Sequence, residues 1–239
     1  EKSPEKAEQL AKKDIGTVYG KAEECLAGAD LIIFAVKPQD APKLFESLQP
    51  LVDPQQVFLS IMAGVRMETI AQALGVKKII RAMPNLPAQI GMGMTAFTSS
   101  DDVTRIELVT VQNLLNTTGK TVYVENESYI DASTAISGSG PAYVFYFMDA
   151  MMQAARSMGF SNSEAELLVS QTFRGAVELY SKNDLSCEEW IHRVSSRGGT
   201  TEAAMQSFSG HKVHADIIDG AKAALERAVE LGKQKVEAE

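Results

Sequence analysis

Ser195-Ser196-Arg197-Gly198-Gly199-Thr200-Thr201-Glu202 brings hydroxyls and a glycine pair to the start of a predicted helix. A helix N-terminus exposes backbone N–H groups and the positive end of its dipole, so such a segment can hold a carboxylate-sized anion. Glu202 falls in the first turn, as in any well-capped helix start, but the density of Ser, Gly and Thr exceeds what a cap needs. A second segment, Gly138-Ser139-Gly140-Pro141-Ala142, interrupts a stretch that is otherwise helical on both sides. Pro141 suits the first position of a new helix. The segment then reads as another anion-holding N-terminus, or as a helix–helix corner where glycine allows close packing. Three predicted strands end on Ala35-Val36-Lys37-Pro38, Met62-Ala63-Gly64 and Met83-Pro84-Asn85. Ligands of open α/β sheets lie beyond the carboxyl ends of the strands, so three unusual ends in succession favour a nucleotide site over plain turn chemistry.

Other chemistry finds little support. His192, His211 and His214 have no ligand-like companions, and His211 and His214 are expected on a solvated helix start. Cys25 reads as a small core residue of an amphipathic helix. Cys25 and Cys187 are too few and too far apart for a disulfide framework or a metal cluster, which points to a reducing cytosol. The acidic pairs Glu23-Glu24 and Asp101-Asp102 look like helix-start charges. Arg156 and Arg174 are structural or face an interface.

The elements that must position these residues fall into two halves. Seven of the eight prolines precede residue 90, and the eighth is Pro141. Before residue 126, short apolar runs (Asp30 to Val36, Val57 to Ile61, Lys78 to Ala82, Met94 to Phe97, Thr121 to Val124) suit parallel strands buried on both faces. They alternate with helix candidates at Pro4 to Lys13, Ala22 to Ala27, Asp40 to Leu48, Met67 to Leu74 and Asp101 to Asn116. That alternation predicts a doubly wound α/β sheet. From residue 127 the chain reads as all helix: Ser128 to Ile136, Ala142 to Met158, Ser163 to Ser181, Ser186 to Val194, Thr201 to Phe208 and Val213 to Val236. Ser163 with Glu166 is the expected capping box. The helix from Ala142 is apolar around much of its circumference, which requires deep burial or a partner subunit.

The chain of 239 residues can bury a sizeable core, and its 45% apolar and 23% charged residues are ordinary for a soluble globular protein. No apolar run approaches a membrane span, and a net charge of −8 argues against nucleic-acid and anionic-membrane partners. A dinucleotide fold carries G-x-G-x-x-G after its first strand. Here no such fingerprint opens a helix after a strand, since Gly91-Met92-Gly93 precedes one. The sequence opens Glu-Lys-Ser-Pro without an initiator Met. The expectation is that it begins just after the second strand of a first βαβ unit, so that about 30 residues carrying the fingerprint belong before it, in a chain of roughly 270. A molecule starting at Glu1 is then predicted to bind cofactor weakly or not at all, with its substrate pocket intact. The loop at residues 1–4 would meet the adenosine ribose, where Glu1 favours a free 2′-hydroxyl while Lys2 and Ser3 suit a 2′-phosphate.

In order along the chain, A-V-K-P, M-P-N, S-G-S-G-P-A and S-x-G-G-T-T at a helix start resemble the pyrroline-5-carboxylate reductases, which perform the last step of proline biosynthesis. The resemblance implies an N-terminal Rossmann-like dinucleotide-binding domain over residues 1–126, lacking its first βαβ unit. It implies an all-helical substrate-binding and dimerisation domain over 127–239, and a cytoplasmic homodimer or a larger ring of dimers. By the same resemblance the cofactor is NADPH, with NADH as the alternative, and the substrate is a cyclic imine carboxylate. Ala35, Val36, Lys37 and Pro38 would line the nicotinamide nucleotide beside Ile61, Met62 and Ala63, with Ser3 near the adenosine ribose. Ser139, Gly140, Pro141 and Ala142 would line the substrate pocket. Ser196, Gly198, Gly199, Thr200 and Thr201 would hold the substrate carboxylate, from the partner subunit in some members. Gly20 stands where many members have Asn, Arg193 where a smaller polar residue is frequent, and Arg197 where Pro is frequent.

The implied reaction delivers a hydride to the C=N carbon. A protonated imine is already a strong electrophile, which agrees with a pocket rich in hydroxyls and poor in potent acids. Thr201 is the residue expected to hydrogen-bond the imine nitrogen. Similar β-hydroxyacid dehydrogenases use a Lys on the long helix after the nucleotide domain, and this chain has no Lys between Lys120 and Lys182. A non-catalytic nucleotide-binding scaffold is the alternative of a different class; activity with an imine carboxylate distinguishes the two.

Overall fold

The apolar runs form five strands: β1 (Leu31–Phe34), β2 (Val57–Ser60), β3 (Ile79–Met83), β4 (Gly93–Ser99) and β5 (Gly119–Tyr123). The protein is described here from a computed structural model covering residues 1 and 3–233. It divides into two units, Glu1–Ser139 with Ala224 and the described residues after it, and Gly140–Ala223.

In the first unit the strands lie in chain order, β1-β2-β3-β4-β5. β1, β2 and β3 are parallel, and their crossovers carry α2 (Ala41–Leu48) and α3 (Met67–Leu74). β4 is antiparallel to β3, which departs from the expected parallel strand. The connection from Met83 to Gly93 is too short for a crossover and holds only a 3-10 turn, Leu86–Ile90, so the chain must reverse. β5 returns parallel to β4 through α4 (Arg105–Asn116). Gly93 and Gly119 face each other in that pair, and a Cβ on Gly119 would collide with the Gly93 backbone.

Side chains alternate between two cores. Phe34, Phe58 and Ile79 face α2 and α3, with Phe45, Ile70 and Leu74. Leu59, Ile80, Ala82 and Phe97 face α4, with Val111 and Leu115. Helices on both faces of a mostly parallel sheet make the Rossmann-like doubly wound arrangement. Burial on both faces holds for β2 and most of β3, whereas Ile33 on β1 is 48% exposed and β5 is mostly exposed.

Several boundaries move for local reasons. Ala22–Cys25 is a 3-10 turn, not a helix, and Cys25 on it is exposed, not a core residue. α4 starts at Arg105 because Thr104 and Glu107 form a capping box there. α1 (Pro4–Ala11) is capped by Ser3. After α5 (Ser128–Ser133), the backbone continues as a π turn over Thr134–Gly138.

The second unit begins with α6 (Gly140–Ser157) and α7 (Asn162–Ser181), followed by α8 (Cys187–Val194) and α9 (Thr200–Gly210). The capping box of α7 is Ser161 with Glu164, two residues before the expected pair, because the helix starts at Asn162. α10 (Val213–Lys233) begins in this unit and ends in the first; the end of the expected helix at Val236 lies outside the described residues. Phe147 meets Phe173 and Phe208, joining α6, α7 and α9. Among the described residues of this unit only Ala165 and Val169 are buried apolar side chains, while Tyr146, Met158, Leu167 and Val177 are largely exposed. α6 holds no buried residue, so deep burial within the chain is not the reason for its apolar circumference.

Candidate active site

β1 and β2 end side by side, with Phe34 opposite Ser60 and the Ile61 N–H donating to the Phe34 carbonyl at 3.1 Å. Ala35, Val36 and Lys37 follow as exposed residues, and Pro38 opens a 3-10 turn that leads into α2. Ile61 and Ala63 are half-buried on the neighbouring turn. Met62 is 2% exposed and its side chain belongs to the core, so only its backbone can face a ligand. Gly64 adopts φ +74°, and a Cβ there would lie 3.2 Å from Leu231. Its smallness allows the approach of α10. Exposed residues and a cation thus gather at two adjacent carboxyl strand ends, where ligands of open α/β sheets lie. Ser3 accepts the Lys6 N–H at 3.4 Å as the α1 cap, and Lys2 lies outside the described residues.

Thr134–Gly138 form the π turn, and α6 begins at Gly140 after a bend at Ser139. The Ser139 N–H donates to the Thr134 carbonyl at 2.8 Å. Ser139, Gly140 and Pro141 are half-buried and Ala142 is exposed. π turns inside helices recur at functional sites.

In the second unit, α9 starts immediately after the glycine pair. Gly198 takes φ +72°, which glycine adopts without strain. Gly199 leaves room for Ser196 Oγ, which would lie 2.6 Å from a Cβ at that position. No side chain caps α9, in contrast to the capping boxes of α4, α7 and α8. The Gly198 N–H is taken by the Glu202 carboxylate at 2.7 Å, and that of Gly199 by the Ser196 carbonyl at 2.9 Å. The segment already holds one carboxylate, its own. Ser195 Oγ is buried without a partner among the described residues. Arg193 stacks over Trp190 at 5.4 Å, which gives this departure from the resembled pattern a structural role.

Sequence reasoning missed the groups that fix α5, the helix leading into the π turn. Arg81, 1% exposed on β3, donates to Glu127 at 2.9 Å and to Asp131 at 2.7 Å. Glu127 also accepts the Met67 N–H at 2.9 Å, tying the start of α3 to α5. A charge between Ile80 and Ala82 in an apolar strand was the available signal, since a buried charge requires partners. Asn85 lies in the third strand-end motif, and both ends of its amide are engaged within the protein. His211 ends α9 with Nδ1 2.8 Å from the Ser207 carbonyl, and the described residues contain no metal-ligand cluster. A cavity of about 550 Å³ opens at the amino ends of β1 and β2, lined by Leu26–Leu31 and α4 residues.

Residues 127–231 match the family described as pyrroline-5-carboxylate reductase dimerisation, and residues 1–64 match NADP oxidoreductase coenzyme F420-dependent. The pyrroline-5-carboxylate reductase of Pseudomonas aeruginosa is 35% identical over 212 residues, 88% of this chain and 78% of the relative. The structure of a pyrroline-5-carboxylate reductase from Coxiella burnetii superposes with TM-score 0.87 at 30% identity, covering 98% of this chain and 87% of that one. The Plasmodium falciparum pyrroline carboxylate reductase, solved with NADP bound, has TM-score 0.85 at 28% identity over 90% of this chain and 82% of its own. The chain belongs to the pyrroline-5-carboxylate reductase family.

Proposed function

We propose that this protein reduces 1-pyrroline-5-carboxylate to proline with NADPH, NADH being the alternative donor. The observation that carries this reading is the uncapped start of α9, with its glycine pair and two threonines, in a chain of this family. Residues 1–126 bind the dinucleotide and residues 127–239 bind substrate and dimerise. Ala35, Val36, Lys37 and Pro38 hold the nicotinamide nucleotide with the backbone of Ile61, Met62 and Ala63, and Ser3 lies toward the adenosine ribose. When bound, NADPH supplies the hydride that the imine carbon accepts.

The chain's own groups bind and orient. Ser196, Gly198, Gly199, Thr200 and Thr201 receive the substrate carboxylate at the positive end of α9. Ser139, Gly140, Pro141 and Ala142 line the imine ring. Thr201 Oγ1 hydrogen-bonds the imine nitrogen and holds its proton there; after reduction that nitrogen is a neutral amine, protonated from solvent. Fixing the ring by its carboxylate supplies much of the acceleration by proximity. Glu202 must release the Gly198 N–H for the substrate carboxylate to take its place.

The apolar surface of the second unit supports a homodimer, and a ring of dimers is the larger form proposed. Two exposed free cysteines agree with a cytoplasmic setting. No helix of the described residues is long and apolar enough to cross a membrane. NADPH oxidation that requires added 1-pyrroline-5-carboxylate tests the assignment; no oxidation with any imine carboxylate overturns it.

A further inference from the structure

We propose that Asn85 is a positioning residue that holds the substrate turn in place by donating to the Ser137 carbonyl, which Pro141 leaves without its helical partner. The inference rests on the reading that Ser139 to Ala142 line the imine pocket.

In an α-helix the carbonyl of residue 137 accepts from the N–H of residue 141. Residue 141 is proline and has no N–H. Asn85 Nδ2 donates to Ser137 O at 3.0 Å. The other end of the same amide, Oδ1, accepts the Met94 N–H at 2.8 Å, beside the first residue of β4. One side chain therefore fastens the last turn before Ser139 to the sheet. The first turn of the same segment is fastened separately, through Arg81 to Glu127 and Asp131. β3 and its exit loop grip residues 127–138 at both ends. The amide offers a donor and an acceptor at once; a carboxylate keeps the acceptor and loses the donor.

Asn85→Asp isolates the Ser137 arm, because its carboxylate still accepts from Met94 but faces the Ser137 carbonyl with an oxygen. In the full chain, kcat/KM for the imine is expected to fall about tenfold or more. The KM for NADPH is expected to stay within about twofold. Pro141→Ala returns an N–H to residue 141, so in that background the same Asn85 change should cost less than about threefold. Hydrogen exchange across residues 134–142 should speed up in Asn85→Asp and slow again when Pro141→Ala is added. A merely structural role would raise exchange throughout the unit and ignore residue 141.

Equal penalties in the two backgrounds, an NADPH KM that rises with the imine KM, or unchanged exchange overturns the proposal. Should Asn85→Asp not fold, Asn85→Ala removes both bonds without adding a charge and carries the same comparison. An unsubstituted enzyme that does not turn over the imine refutes the functional reading, and the exchange measurement then decides this one.

Discussion

Replacing Arg81 by Met exposes what the buried cluster contributes. Arg81 is 1% exposed and makes two short charge-assisted bonds, at 2.9 Å to Glu127 and 2.7 Å to Asp131. Met fills much of the space of the arginine stem, so the apolar loss is small. The two carboxylates then differ. Glu127, with 24% of its side chain exposed, rehydrates at little cost, but Asp131, at 6%, is left as an uncompensated buried charge. Removing one partner of such a pair costs about 3–5 kcal/mol. Asp131→Asn keeps the Arg81–Glu127 pair and an acceptor for the guanidinium, and should cost only about 1–2 kcal/mol. Arg81→Met with Asp131→Leu removes both charges and should recover most of the loss. Urea unfolding followed by far-ultraviolet circular dichroism, at one fixed protein concentration, measures all three. A loss below about 1 kcal/mol for Arg81→Met, or a double variant no more stable than that single one, refutes the reasoning.

Thr201→Ala should lower kcat about tenfold to a hundredfold, the scale of a hydrogen bond to a charged group. Because no side chain caps α9, its stability should change by less than about 0.5 kcal/mol, and unchanged kinetics in the folded variant remove Thr201 from the mechanism. Leu167→Glu places a charge on a side chain 68% exposed in the single chain; sedimentation should show monomers replacing dimers, and an unchanged dimer excludes that face from the interface. The hydrogen bond from Lys78 holds the Glu107 carboxyl below its ordinary 4.5, with Thr104 adding to the effect. A carboxyl lowered on folding stabilises above its ordinary pKa, and that contribution fades as pH falls through the lowered value. Glu107→Gln keeps the capping box. It should therefore cost about 0.5–1 kcal/mol at neutral pH and nearly nothing in strongly acidic buffer, with an equal cost at both pH values counting against the pair.

The strands and crossover helices were legible because apolar runs and amphipathic periods are local properties. The reversal of β4 was legible too, in the short Met83 to Gly93 connection, although the apolar run alone suggested a parallel strand. The π turn was not, since Thr134–Gly138 carries no compositional mark apart from the proline that follows. Asn85 and Arg81 were hidden for a different reason. Their partners, Ser137, Glu127 and Asp131, lie 46 to 52 residues away, and only the folded sheet brings them together. The glycine-rich start of α9 was visible as a motif. That Glu202 already occupies one of its N–H groups was not, because the same residue in the first turn also suits an ordinary cap. Gly64 stands at one of the unusual strand ends, and the contact its smallness allows with Leu231 on α10 was not legible in the sequence.

The most direct test of the central claim is product stoichiometry in the purified protein. Loss of nicotinamide absorbance should require both NADPH and 1-pyrroline-5-carboxylate, and each NADPH consumed should yield one proline. Absence of proline, or NADPH oxidation that proceeds equally without the imine, contradicts the assignment.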